Sequence, residues 1–266
     1  MYIPINEKIF KELKHNVIAT SKMGSAIHGT KNEHSDDDLL YLYYDKDYSA
    51  GMIRDTNGWQ YKDKVNNIDH NFQEIRTFIQ NVITSESHTD HEAIVFGFEA
   101  DNRLVRTILN ELNIITYRTV KSYSGRAKKD RKAIENILSN DTYDVDALNK
   151  KYYHLFYGTF YMAHLLNGES MPSTKQLIHI KNNGLSKDEY DNLLTLYTEL
   201  NDTMQSQFES GQLKQRPDSE WFAYIDKLLQ SLIENFGYSD EFTFINFGGL
   251  LYQVMEMTPT GFHTKR

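Results

Sequence analysis

Apolar positions along this chain change their period once. In "INEKIFKELK" (residues 5–14), Ile9, Phe10 and Leu13 share one helical face while Lys and Glu take the others, which predicts an amphipathic helix. "NVIAT" (16–20) is a short β-branched run and reads as a buried strand, stopped by the turn Ser21-Lys22-Met23-Gly24-Ser25. "DLLYLYY" (38–44) is a second strand, ended by "DKDYSAG". "NGWQYKDKVNNID" (57–69) carries turn residues and some alternation and reads as a third strand. "HNFQEIRTFIQNVITSES" (70–87) then places Phe72, Ile75, Phe78, Ile79 and Val82 at helical spacing. Beyond about residue 100 strand signals are scarce. "DNRLVRTILNEL", "SGRAKKDRKAIENILS", "DALNKKYYHLFYGTFYMAHLLNG", "SKDEYDNLLTLYTELNDTMQSQFESG" and "DSEWFAYIDKLLQSLIENFG" all have helical periodicity. Gly168, Gly211 and Gly237 stand just past such patterns, where C-caps belong. The chain therefore divides near residue 115 into a part mixing strands and helices (1–115) and a mostly helical part (116–266). No repeat, low-complexity tract or long Pro/Gly linker separates them, so a packed junction is expected rather than a tether.

Composition narrows the classes. The chain has 266 residues, enough for one large domain or two modest ones. Its 18 Tyr, 14 Phe and 2 Trp exclude a disordered chain. A formal charge of -8 gives no global attraction to nucleic acid, so any polyanion site must be a local basic patch. With no cysteine, disulfides, thiolate zinc sites and cysteine nucleophiles are out. "MYIPINEKIFKELKH" lacks the apolar core of a signal peptide, and no apolar run approaches the ~18 residues of a membrane span. A cytoplasmic protein with no membrane partner is the expectation.

One stretch does not fit a plain strand. "SDDDLL" puts Asp36, Asp37 and Asp38 at the entrance of an apolar run, although Asp is depleted in strands. Alternation sorts them: Asp36 and Asp38 face one side, Asp37 the other. Two carboxylates on one face repel unless a cation lies between them. Mg²⁺ supplies that charge and favours one or two protein carboxylates together with substrate phosphate oxygens. Upstream, Gly24 lets the backbone approach a ligand closely, and Ser25 adds a hydroxyl. If a short helix begins there, its free N–H groups would face a phosphate. His28, three residues on, either contacts that phosphate or closes the turn. The other reading of these residues is a solvated acidic turn beside an ordinary Gly-Ser turn.

"GSAIHGTKNEHSDDDL" resembles the GS–x(n)–[SD]–x–D signature of the polymerase-beta nucleotidyltransferase superfamily. More narrowly, the chain is similar to the RlaP-type predicted nucleotidyltransferases of the bacterial and phage RNA repair pathway, which read like "GSxxxGxxxxxSDxDLxxxY". Gly24-Ser25, Gly29, Ser35-Asp36, Asp38-Leu39 and Tyr43 or Tyr44 fit that pattern. "FQEIRTFIQNVI" followed by "HEAIVF", the helix start in "YSGRAKKDRK", and "KKYYHLFYGTFYMAHLLNGE" are similar to later family segments, so the likeness spans about residues 15–170. It implies an α+β fold: an N-terminal polymerase-beta-like mixed sheet with flanking helices, followed by a C-terminal helical domain that handles substrate or acceptor. It also implies a Mg²⁺- or Mn²⁺-dependent reaction that moves a nucleoside monophosphate from an NTP to a hydroxyl. The acceptor it suggests is an RNA or tRNA end. Such enzymes use a third carboxylate on a neighbouring strand. Asp69 is the first choice, joining Asp36 and Asp38 as metal ligand and catalytic group, and Asp63 the second. Asp69 can equally be the N-cap of the following helix.

Residues 118–132 gather Arg118, Lys121, Arg126, Lys128, Lys129, Arg131 and Lys132 against one acid, Asp130. The bland reading is a solvated helix face. The functional one turns Lys128 or Arg131 toward the cleft, to bind the triphosphate or a nucleic-acid acceptor, with Tyr123 and Ser124 beside a base or ribose. Lys150 and His154 share a helical face and on the family likeness line the cleft; otherwise His154 packs among Tyr152, Phe156 and Tyr157. The "HTDHE" group (88–92) lacks a matching second cluster and reads as a polar loop at a helix end. Transfer to a protein hydroxyl, as in AMP-transferring toxins and antitoxins, to a small molecule such as an aminoglycoside, and a catalytically silent nucleotide-binding module are the rival functions.

Overall fold

The computed structural model describes residues 2–31, 36–45, 58–84 and 88–235. Ser35, Gly237 and the apolar stretch 241–257 lie outside them. The order of elements is β1 (Tyr2–Pro4), α1 (Glu7–His15), β2 (Val17–Met23), a 3-10 turn (Gly24–Ala26), β3 (Asp37–Tyr43), β4 (Gly58–Asp63), β5 (Ile68–Glu74) and α2 (Ile75–Thr84). Then come α3 (His88–Phe96), α4 (Arg103–Glu111), α5 (Tyr117–Leu138), α6 (Val145–Asn167), α7 (Thr174–Asn183), α8 (Lys187–Glu209) and α9 (Ser219–Asn235). The class is α+β.

The strands form one mixed sheet in the order β1-β4-β5-β3-β2. β3 runs parallel to β5 and antiparallel to β2, and β4 is antiparallel to β5. Alternation along β3 gives the sheet two different faces. Leu40 and Leu42 point to one face and pack with Ile75, Phe78, Ile79 and Val82 of α2, Val105 and Ile108 of α4, and Phe222, Ile225, Leu229 and Leu232 of α9. Tyr41 and Tyr43 point to the other, where Phe72 and the Phe10 and Leu13 stripe of α1 cover them. Full burial of Leu40 and Leu42 stabilises the sheet by roughly 1.5–3 kcal/mol each. A second core joins α5, α6, α7 and α8 through Tyr123, Tyr161, Leu155, Leu177 and Leu193 among others.

The sequence reading has no β1 and no α7, and the single strand it places over 57–69 is β4, a turn and the start of β5. Two further elements differ for local reasons. The helix predicted from residue 70 begins at Ile75, because residues 68–74 are the strand β5. Phe72 fits a helical spacing to Ile75 and Ile79, yet it also alternates with His70 and Glu74, and pairing with β3 and β4 selects the strand. Glu74 marks the change. Its carboxylate accepts from the N–H groups of Arg76 at 2.7 Å and Thr77 at 3.4 Å, serving donors that a helix start leaves open. The second difference is the "HTDHE" group, which is not a loop at a helix end but the start of α3, with Asp90, His91 and Glu92 buried. The remaining boundaries follow local chemistry. Capping boxes start α5, α7 and α8, Asp144 caps α6, and Gly168 at φ +69° ends it.

Candidate functional site at the Asp38 end of the sheet

β2 ends at Met23, directly opposite Asp38. The chain must then leave the sheet at once, and Gly24 does so with φ +59°, a conformation that costs other residues about 1–2 kcal/mol. The tight turn is closed by hydrogen bonds from Ile27 N–H to the Gly24 carbonyl and from Thr30 N–H to the Ser25 carbonyl. A methyl group at position 24 would stand 2.9 Å from Asp38 Oδ2. Only glycine both turns here and leaves that carboxylate its space.

Asp38 is in register with Asp69 on the parallel neighbour β5, so their side chains leave the sheet on the same face. Asp69 is the second residue of a strand and not a helix cap. Asp36, just ahead of β3, is exposed, and its charge acts on Asp38. Asp37 points the other way and pairs with Lys31 at 2.7 Å. Burial raises the pKa of Asp38, and the charges of Asp69 and Asp36 raise it further, while Lys62 pulls it down. Asp63, the second choice for the third carboxylate, is spent on a turn, accepting from Val65 N–H, Asn66 N–H and the Asn66 side chain.

Hard divalent cations take oxygen ligands, and this donor set has that chemistry. Asp36 and Asp38 are without hydrogen-bond or ion-pair partners among the described residues, and the space at Gly24 is one a Cβ would fill. The carboxylates are not drawn together, however. Among the described residues no group of three or more His, Asp or Glu side chains is close enough to hold a metal ion. Asp69 Oδ2 is engaged by Lys62 Nζ at 2.7 Å and by Gln60 Nε2 at 3.3 Å. Lys62 was not visible as a site residue in the sequence, because its position depends on the β4–β5 register.

His28 turns away from this face into the helical layer. Its Nδ1 lies 2.7 Å from Tyr153 Oη, its ring stacks on Tyr157 at 4.0 Å, and Nε2 is 3.7 Å from Glu92. Of the two roles open to it, closing the turn fits a side chain only 7% exposed.

The helices place the other candidates. Lys128 and Lys150 are exposed, and Arg131 is bound to Glu135 one turn on at 2.8 Å. The basic residue of α5 that reaches the neighbouring helices is Arg126. It donates to His88 Nε2 and, at 2.7 Å, to His154 Nδ1, with Asp130 at 3.7 Å. Asp130 also accepts from Lys151 at 2.9 Å. Burial first, and Arg126 second, push the His88 pKa down to about 4 and that of His154 to about 3. Both rings are therefore neutral acceptors near pH 7. Glu92, Lys151 and Tyr153, and Arg126 in its contacts with His88 and His154, carried no pairing signal in the sequence, since those partners lie on other segments of the chain.

No family model matches this chain, and no curated protein matches it. Among solved structures it is similar to a nucleotidyltransferase-like protein from Exiguobacterium sibiricum 255-15, with 11% identity, a TM-score of 0.29, and coverage of 86% of this chain and 88% of the other. A likeness of that degree carries no argument, and the functional reading rests on the residues themselves.

Proposed function

We propose that this chain is a divalent-metal-dependent nucleotidyltransferase acting on a nucleoside triphosphate and an acceptor hydroxyl. The observation that carries the reading is the row at the end of the sheet: Asp38 and Asp69 in register on parallel strands, Asp36 near enough to act on Asp38, and Gly24 folded against Asp38 just before Ser25. In the reaction the acceptor oxygen bonds to the α-phosphorus, the bond from that phosphorus to the bridging oxygen breaks, and pyrophosphate leaves. Mg²⁺ or Mn²⁺, when bound, neutralises the triphosphate and lowers the pKa of the attacking hydroxyl. Asp36 and Asp38 would hold it. Asp69 would take the hydroxyl proton, and Ser25 would donate to a phosphate oxygen. Arg126 and Lys151 supply fixed positive charge on the helical side.

For the acceptor we propose a nucleic acid, an RNA or tRNA end. α5 leaves Lys121, Lys128, Lys129 and Lys132 exposed, a cationic row in a chain of net charge -8 that suits a phosphate backbone. The test is incubation with Mg²⁺ and each α-labelled triphosphate, reading pyrophosphate and the destination of the label. Wild type should label RNA, and Asp36→Ala/Asp38→Ala should lower turnover by more than about a hundredfold, as loss of metal ligands does. Equal behaviour of the two proteins would leave a silent binding module. Label on protein or on a small molecule would keep the chemistry and replace the acceptor.

A further inference from the structure

Lys62 is the one cation placed among the three carboxylates by the described strands, and its position suggests more than surface pairing. β4 and β5 set Lys62 directly across from Asp69, and β5 and β3 set Asp69 beside Asp38. The three residues form one row over adjacent strands, with strands about 4.8 Å apart. The ammonium holds Asp69 Oδ2 at 2.7 Å, and Gln60 holds the same oxygen. Among the described residues Asp69 Oδ1 accepts no hydrogen bond. The three carboxylates are not gathered closely enough to hold a metal ion, and a lysine draws one oxygen of Asp69 toward itself.

We infer that Lys62 is a latch on Asp69: it holds this carboxylate out of the metal site in the free protein, and its ammonium passes to the triphosphate when metal and nucleotide enter together. The inference rests on the metal-site reading above. The two partners differ in freedom as such an exchange requires. The Lys62 side chain is 59% exposed and the Asp69 side chain 17%, so the lysine has room to swing on its four-carbon stem while the carboxylate stays with its strand. An exposed ion pair of this kind contributes at most about 1 kcal/mol, so a divalent cation can displace it. A triphosphate then offers the released ammonium a denser negative charge than one carboxylate. Metal and nucleotide would therefore bind better together than either does alone.

The test measures Mn²⁺ binding by electron paramagnetic resonance in the full chain, with and without a non-hydrolysable triphosphate. Lys62→Met should bind Mn²⁺ alone about three- to tenfold tighter than wild type and, with Mn²⁺ present, the analogue about three- to tenfold more weakly. In an Asp69→Asn background the same change should raise Mn²⁺ affinity by less than twofold, because the competition runs through Asp69 and only the through-space charge on Asp38 remains. Weaker or unchanged Mn²⁺ binding by Lys62→Met would make Lys62 a prop for Asp69 and overturn the latch. Unchanged analogue affinity would overturn the transfer to phosphate. Failure of Mn²⁺ to bind wild type in an Asp36- and Asp38-dependent way is a separate result, and it would remove the metal reading itself.

Discussion

Asp38 stands in surroundings that oppose its own charge. It is partly buried, Asp69 and Asp36 are near, and Lys62 compensates only in part, so its pKa is raised. A carboxyl raised on folding stabilises the fold fully below the unfolded value of about 3.9, and that contribution is lost as pH rises through the folded value. Above that range the ionised group costs stability. Asp38→Asn should therefore melt a few degrees higher than wild type at pH 7, and the gain should vanish near pH 3. Mg²⁺ should raise the melting temperature of wild type and not of the variant. A variant less stable than wild type at pH 7 would contradict this electrostatic account. At this scale much was legible: period two is built into strand geometry, so the separation of Asp37 from Asp36 and Asp38 followed from "SDDDLL" alone. Lys62 was not, because no local pattern states which residue of another strand lies across from Asp69.

The junction of α3, α5 and α6 shows what periodicity misses between elements. "HTDHE" has no amphipathic stripe, yet α3 is buried with its polar groups inward, met by Arg126 and Tyr123 of α5, Tyr161 of α6, Gln73 of β5 and His28. Partners supplied by other segments make that burial affordable, and a single segment cannot announce them. The histidines give the junction a pH limit. His88 and His91 are pushed down to about 4 and His154 to about 3, in each case first by burial. The charged groups facing them are Arg126, Glu92, Asp130, Lys150 and Lys151. A depressed pKa stabilises the fold above the unfolded value near 6.5 and loses that contribution as pH falls toward the folded value. Between about pH 6.5 and 4 the protein should lose stability. Replacing His88 and His154 by Gln, which keeps an acceptor for Arg126, should flatten the fall in melting temperature over that window. An unchanged slope would place the acid sensitivity elsewhere. The β5–α2 boundary was likewise hidden, since Phe72 satisfies both periods and pairing with β3 and β4 decides.

At the scale of the whole molecule, the change of period near residue 115 marks a change of layer, from a sheet with covering helices to helices packed on helices. Besides the junction of α3 with α5 and α6, one later helix crosses back over it. α9 returns to the first core, where Phe222, Ile225, Leu229 and Leu232 pack with Leu40, Ile75 and Ile108. The helical period of "DSEWFAYIDKLLQSLIENFG" foretold the element but not its partner, because an apolar stripe fits any complementary face. Among the described residues no helix is long and apolar enough to cross a membrane. The most direct measurement of metal binding at Asp36 and Asp38 is anomalous diffraction from crystals soaked with Mn²⁺ and a non-hydrolysable nucleoside triphosphate. Mn²⁺ peaks are expected at about 2.0–2.3 Å from carboxylate oxygens of Asp36 and Asp38, with Asp69 turned to the metal, Lys62 on the triphosphate and phosphate oxygens beside Gly24-Ser25. Nucleotide bound elsewhere, or no Mn²⁺ peak at these carboxylates, would contradict that expectation.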